Sequence, residues 1–370
     1  MTHEFGPSTT AVHAGLPEPV PGAPFLPPPV LAAPYHLDPA GPAPGTGYGR
    51  TDNASWRALE AAIGELEGGS CAVFSSGMAA ITALLMTVCR PGDTVVLPSD
   101  GYYLTRAFAR DRLQPMGVRV IEAPTAGPYP SFDGVRLVLL ETPANPGLDV
   151  ADIAATAAAA DRAGALLAVD NTAATPLGQT PLALGADFAV ASGTKALTGH
   201  SDLLLGYVCA APDRIADLVG WRNQTGAIVG GFEAWLAHRS LATLDLRLTR
   251  QSETGHALAA ALATRSDVTA VRFPGLPADP SFAVASAQMR RIPGIVTFTL
   301  SSAEHVAAFL DATRLVARST SFGGTHTSAD RRAQFGDPVP DGLIRFSCGI
   351  EDTADVVADV LQALDAAARG

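Results

Sequence analysis

The chain has 370 residues, 47% of them hydrophobic and 16% charged, with a formal net charge of −11. That much apolar sequence exceeds one simple core, so two domains are expected, and the acidic balance argues against nucleic acid or an anionic membrane as the main partner. Cys71, Cys89, Cys209 and Cys348 are too scattered for a metal site or a disulfide framework, and read as buried thiols of a reducing compartment.

Met1 to Phe5 shows no basic region followed by an apolar one, so no signal peptide is read there. The longest apolar run, 79–88, falls far below the roughly 20 residues that span a bilayer. A cytoplasmic protein is expected. Residues 1–50 are crowded with prolines, from Pro17 to Pro44, which fix φ and remove donors. They read as an extended arm, either a loose tail or a strap across a second subunit, ending in Gly47-Tyr48-Gly49-Arg50. From 51 to 237, strands and helices alternate. A helix from Ser55 carries Trp56, Leu59, Ile63 and Leu66 at helical spacing and stops at Gly68-Gly69. Strand-like runs follow at 71–74, 94–97, 136–141, 166–169, 187–191 and 205–210, with helices at 79–88 and 149–163. Such alternation predicts a mostly parallel sheet inside a three-layer α/β domain. From 238 to 370 the pattern changes to one long helix (239–262), short strands at 268–273, 295–300, 315–317 and 343–347, and a helix over 352–368. That is read as a smaller α+β domain.

The chain's only lysine, Lys195, follows the apolar run 187–191 inside Ser192-Gly193-Thr194-Lys195. An amine shielded from water loses proton affinity and becomes a nucleophile toward an aldehyde. The expectation is a Schiff-base lysine for pyridoxal phosphate (PLP), and the other polar strand-end residues supply what that cofactor needs. Ser76-Gly77-Met78 opens an apolar helix, placing backbone amides where a phosphate can bind, with Ser192 and Thr194 adding hydroxyls. Asp170, at a buried strand end, suits the pyridine nitrogen. A carboxylate about 3 Å from that nitrogen gains on the order of 5 kcal/mol at an effective dielectric of 20, before desolvation. Tyr102, with Tyr103 as competitor, offers a ring to stack and a hydroxyl for proton transfer. Asn145 can bond the cofactor's phenolic oxygen or the substrate. Arg345 alternates with apolar neighbours in Leu343-Ile344-Arg345-Phe346-Ser347, so it faces away from them and suits a substrate carboxylate. A dinucleotide-binding dehydrogenase would need Gly-x-Gly-x-x-Gly after the first strand, and Ser75-Ser76-Gly77-Met78 lacks it.

Taken together, these segments resemble the Cys/Met-metabolism PLP enzymes, the cystathionine γ-lyases, γ-synthases and β-lyases and methionine γ-lyase. The resemblance runs through Tyr48-Gly49-Arg50, Glu67-Gly68-Gly69, Ser75 to Ala80, Asp100-x-Tyr102, Glu141 to Pro146, Val169 to Thr172, Ser192 to Lys195 with Gly199 to Asp202, Ser321 to Gly324, and Arg345-x-Ser347-x-Gly349-x-Glu351. It implies PLP fold type I and a homotetramer of tight dimers, with Tyr48 and Arg50 reaching the neighbouring subunit's phosphate. It also implies that Lys195 moves protons and that Ser321 helps Arg345 hold the carboxylate. The chain departs from the family pattern at Asn53-Ala54-Ser55, at Tyr103-Leu104, at Thr320 where many cystathionine enzymes carry an acid, and at His326 where glutamate is common. Leu104 lies where methionine γ-lyases carry a cysteine. The expected activity is γ-elimination of L-cystathionine to cysteine, 2-oxobutyrate and ammonia. γ-Replacement on an acylated homoserine is the close alternative, and a specialised γ-lyase of secondary metabolism is a third.

Overall fold

The structure is a computed structural model that describes residues 5–41 and 47–369. Met1 to Glu4, Pro42 and Pro44, all part of the sequence reading, lie outside them. The arm begins with helix α1 (Pro7–His13). It is not loose. Ala11 and Ala14 are buried against the main core, the Trp235 indole donates to the Pro27 carbonyl at 2.8 Å, and the Val30 amide donates to Ser55 Oγ at 3.0 Å.

The next elements are α2 (Ala54–Glu67), β1 (Ser70–Phe74), α3 (Gly77–Val88), β2 (Thr94–Pro98), α4 (Tyr103–Phe108), β3 (Arg119–Ala123) and β4 (Leu137–Glu141). Then come α5 (Ile153–Ala163), β5 (Leu166–Asp170), α6 (Thr175–Gly178), β6 (Phe188–Ala191), β7 (Gly206–Ala210) and α7 (Pro212–Thr225). Local chemistry sets several ends. Asn53 accepts from the Ser55 amide at the start of α2, and Gly68 closes it in the left-handed region. Asp152 caps α5, which therefore starts later than the expected 149.

Seven strands form one sheet in the order β1-β7-β6-β5-β4-β2-β3. β2 to β6 pair in parallel, but β7 runs antiparallel to both β6 and β1, so the alternation rule fails at that edge. Both faces are covered. Val73, Ala189, Tyr207 and Cys209 point into the core shared with α2 and α8 (Gly231–Leu241), whereas Ala72, Phe74, Val190 and Val208 meet α3 and α7. This is the three-layer α/β architecture expected from the strand–helix alternation.

The expected single helix over 239–262 is two, α8 and α9 (Leu244–Leu262), broken at Ala242 and Thr243. Beyond them come β8 (Thr269–Arg272), α10 (Phe282–Gln288), β9 (Ile295–Thr299), α11 (Ala303–Ala312), β10 (Ala317–Arg318), β11 (Ser328–Arg331), β12 (Leu343–Ser347) and α12 (Thr353–Ala367). Their strands form a second sheet, β10-β11-β12-β9-β8. Val296, Phe298, Ile344 and Phe346 pack its inner face against α9, α11 and α12. Arg345, between two of these, is directed to the opposite face. No helix among the described residues is long and apolar enough to cross a membrane.

Candidate active site

Ligands of doubly wound sheets bind beyond the carboxyl ends of the strands. A cavity of about 500 Å³ opens there. It is lined by Ser76, Gly77, Met78, Tyr102, Asn145, Asp170, Ser192, Thr194, Lys195, Thr320, Ser321 and Arg345. Twelve residues singled out in the sequence thus meet in one place. Tyr48 and Arg50 do not line it. They are exposed, with the Arg50 guanidinium 5.6 Å from the Tyr48 ring centroid and donating to the Asn223 carbonyl.

On the phosphate side, Ser76 caps α3, its Oγ accepting from the Ala79 amide at 3.1 Å. The sheet approaches this cap closely. A Cβ on Gly77 would stand 2.6 Å from Ser192 Cβ, and one on Gly206 would stand 2.0 Å from the Ser76 carbonyl oxygen. The Thr194 hydroxyl is already engaged, donating to the Leu205 carbonyl at 3.2 Å and accepting from its amide at 2.9 Å. It shapes the loop rather than standing free.

At the floor, Asp170 ends β5 in register with Glu141 on β4. Both Thr172 donors, the amide at 3.0 Å and the hydroxyl at 2.5 Å, fall on Asp170 Oδ1. Oδ2 accepts no hydrogen bond among the described residues. Burial drives the Asp170 carboxyl upward, opposed by the two Thr172 donors. Such an acid favours a cationic partner at its open oxygen.

Lys195 Nζ donates to Ser321 Oγ at 3.0 Å and lies 5.7 Å from the Phe322 ring centroid. Burial lowers its proton affinity, and the nearby Arg345 cation adds to that. Ser321 sits at φ 81°, a left-handed conformation rare outside glycine, and this turn points its hydroxyl at the lysine. Arg345 Nη2 donates to the Ser321 carbonyl at 3.0 Å, so the same turn meets both the lysine and the arginine.

Arg345 is buried, not a surface ion pair. Nη1 donates to Asn145 Oδ1 at 2.7 Å and Nη2 to Asp330 Oδ2 at 2.9 Å, while Nε has no partner among the described residues. Burial lowers its pKa to about 10. Asp330 Oδ2 also accepts from Arg332 Nη1 at 2.9 Å, and Arg332 lines the cavity beside Phe335. Sequence reasoning missed Asp330 and Arg332, because nothing local marks an Asp-Arg-Arg run as buried. It also treated Glu141 only as part of a motif, although Glu141 lines the cavity and ends its strand beside Asp170. Leu104 and His326 are absent from the wall, whereas Thr320 is part of it.

A doubly wound sheet with a single shielded lysine after β6 and an acid after β5 has the architecture of PLP fold type I. Residues 8–365 match the family model described as Cys/Met metabolism PLP-dependent enzyme, and the chain belongs to that family. It is 53% identical to a Streptomyces coelicolor protein described provisionally as a cystathionine γ-lyase, over 97% of this chain and 94% of that one. It is 36% identical to the L-methionine γ-lyase of Pseudomonas putida, over 98% of each. The crystal structure of cystathionine γ-synthase from Xanthomonas oryzae, in complex with aminoacrylate and cysteine, superposes with a TM-score of 0.94 at 33% identity, covering 99% of this chain and 100% of that one. The chain is thus an enzyme of Cys/Met metabolism, and its relatives span lyases and a synthase.

Proposed function

We propose that the chain γ-eliminates L-cystathionine, with water, to cysteine, 2-oxobutyrate and ammonia, using PLP. The observation that carries this reading is Lys195, the chain's only lysine, lining one cavity with Arg345 and Asp170 and held there with depressed proton affinity. The residues fit the cofactor. The cradle between α3 and Ser192 admits no Cβ at Gly77, and Asp170 keeps a free carboxylate oxygen. The cap of α3 at Ser76, Gly77 and Met78, with Ser192 and Thr194 beside it, would hold the phosphate. Asp170 would hold the ring nitrogen, Tyr102 the ring face, Asn145 its edge and Lys195 its aldehyde carbon. When bound, PLP supplies an electron sink for carbanions formed next to the substrate nitrogen.

The side chains do the rest. Arg345, with Asn145 and the Ser321 turn, binds the substrate α-carboxylate and orients Cα toward Lys195. The Lys195 amine would remove the Cα proton, pass it on, and so be free to remove a Cβ proton next. Ser321 Oγ keeps that amine aimed. The Tyr102 hydroxyl, whose pKa burial raises, stays protonated and gives its proton to the departing γ-sulfur. Thr320 lies at the substrate end of the wall and contacts the distal part of the substrate. Tyr48 and Arg50, exposed and outside their own cavity, serve the phosphate of a neighbouring subunit in a tetramer of tight dimers.

The cystathionine reading draws on the 53% identical Streptomyces coelicolor relative. Purified protein supplied with PLP should show a visible absorption band that Lys195→Ala abolishes. It should release 2-oxobutyrate from cystathionine. Turnover confined to an acylated homoserine plus cysteine would make it a synthase and defeat the lyase reading.

A further inference from the structure

Glu141 accepts two backbone donors at once. Its Oε2 takes the Tyr102 amide at 2.6 Å, from 39 residues away, and its Oε1 takes the Asn145 amide at 3.1 Å. Both carboxyl oxygens of Glu141 are thus used as acceptors, whereas a glutamine would turn an N–H₂ toward one of the two donors. The backbone is cut to fit it. A Cβ on Gly101 would stand 2.8 Å from Glu141 Oε2 and 2.7 Å from Pro98 Cγ. The tether extends further, because Asn145 Oδ1 accepts from Arg345 Nη1 at 2.7 Å.

We propose that Glu141 is a positioning residue that fixes the Tyr102 turn and the Asn145 loop to the end of β4, and through Asn145 sets the angle of Arg345. One side chain thereby links the residues that flank the cofactor ring to the residue that holds the substrate carboxylate. This rests on the PLP-dependent function proposed above. A second acid here is unfavourable. Burial and the neighbouring Asp170 both push the Glu141 carboxyl upward, opposed by the two amide donors. An apolar residue would avoid that cost, so its placement beside Asp170 points to the two amides it anchors.

The test uses the full chain, with and without PLP. Glu141→Gln retains the volume and loses one acceptor. Hydrogen exchange should rise about tenfold or more in segments 100–106 and 144–149, the loss expected for one hydrogen bond, and stay unchanged elsewhere. Cofactor affinity and the visible circular dichroism of bound PLP should fall with it. Gly101→Ala, which leaves Glu141 in place but pushes on Oε2, should loosen the first segment alone. It carries the test even if Glu141→Gln fails to fold. Val306→Ala, which cuts a cavity beneath the second sheet, should lower thermal stability without touching either segment. Wild-type exchange and dichroism in Glu141→Gln would overturn the proposal, as would equal loosening by Val306→Ala. A wild type that binds PLP but releases no 2-oxobutyrate from cystathionine would overturn the substrate reading and leave the Glu141 comparison standing. A wild type that binds no PLP would overturn both.

Discussion

Arg345 shows what a side chain's position in a strand can and cannot reveal. Alternation with Ile344 and Phe346 places it on the face opposite the core, and that much is readable from five residues. Its burial is not, because it depends on Asp330 from β11 and Asn145 from the loop after β4. Asp330 shares one oxygen between Arg345 and Arg332 while its Oδ1 has no partner among the described residues. Arg332 is held in turn by Asp337, so two cations and two carboxylates make a rigid, charge-balanced clamp, in which a lysine cannot reproduce the forked geometry. Arg345→Lys should therefore raise the KM for substrate by about tenfold to a hundredfold, with a smaller change in kcat. Steady-state kinetics check this, and an unchanged KM would remove Arg345 from the substrate site. Lys195 and Asp170 were legible because Asp170 ends an apolar run and Lys195 stands in the small-residue loop just past one. Arg332 was not, since its partners Asp330 and Asp337 are assembled only by the turn after β11.

Among the elements, α3 does most to shape the cavity. Its cap lies so near β6 and β7 that Gly77 and Gly206 have no room for a methyl group. Gly77→Ala should force the α3 terminus away from Ser192 and weaken PLP binding by at least about tenfold, equivalent to roughly 1.4 kcal/mol. Fluorescence titration of the cofactor reads this directly, and unaltered affinity would show that the phosphate binds elsewhere. Strongly apolar strands were found within a residue or two of their true ends. β3 was not anticipated, because its exposed edge position leaves it mixed in character. The break between α8 and α9 was hidden as well, since Ala242 and Thr243 contain neither glycine nor proline. α7 did carry signals, with Pro212 at its start and Gly226 past its end.

At the scale of the whole molecule, an acid outside the cavity is also held by burial far from its ordinary behaviour. Glu67 is fully enclosed, accepting from the Tyr207 hydroxyl at 2.7 Å and from Asn171 Nδ2 at 3.2 Å, with Oε2 unpartnered among the described residues. Desolvation outweighs both donors and raises its pKa from 4.5 to about 7. Between those values the folded chain binds the proton more tightly than the unfolded one. This contribution is therefore full below pH 4.5 and lost as pH rises to about 7, on the order of 3 kcal/mol in all. Glu67→Gln should flatten that part of the stability–pH curve, and urea melts at several pH values will show whether it does. Assembly has its own test. Mixing Arg50→Ala with Lys195→Ala subunits should restore activity, because each hybrid dimer contains one complete site if Arg50 acts across the interface. Separate activity losses that persist in the mixture would confine Arg50 to its own subunit. The rarity of lysine gives the chain one more property. Its outer surface bears no ε-amino group, so acylating reagents and aldehyde fixatives find no side-chain amine there. Whatever label such a reagent leaves on a side-chain amine of the folded protein counts open active sites. Protection from labelling by added compounds therefore becomes a direct measure of who has entered.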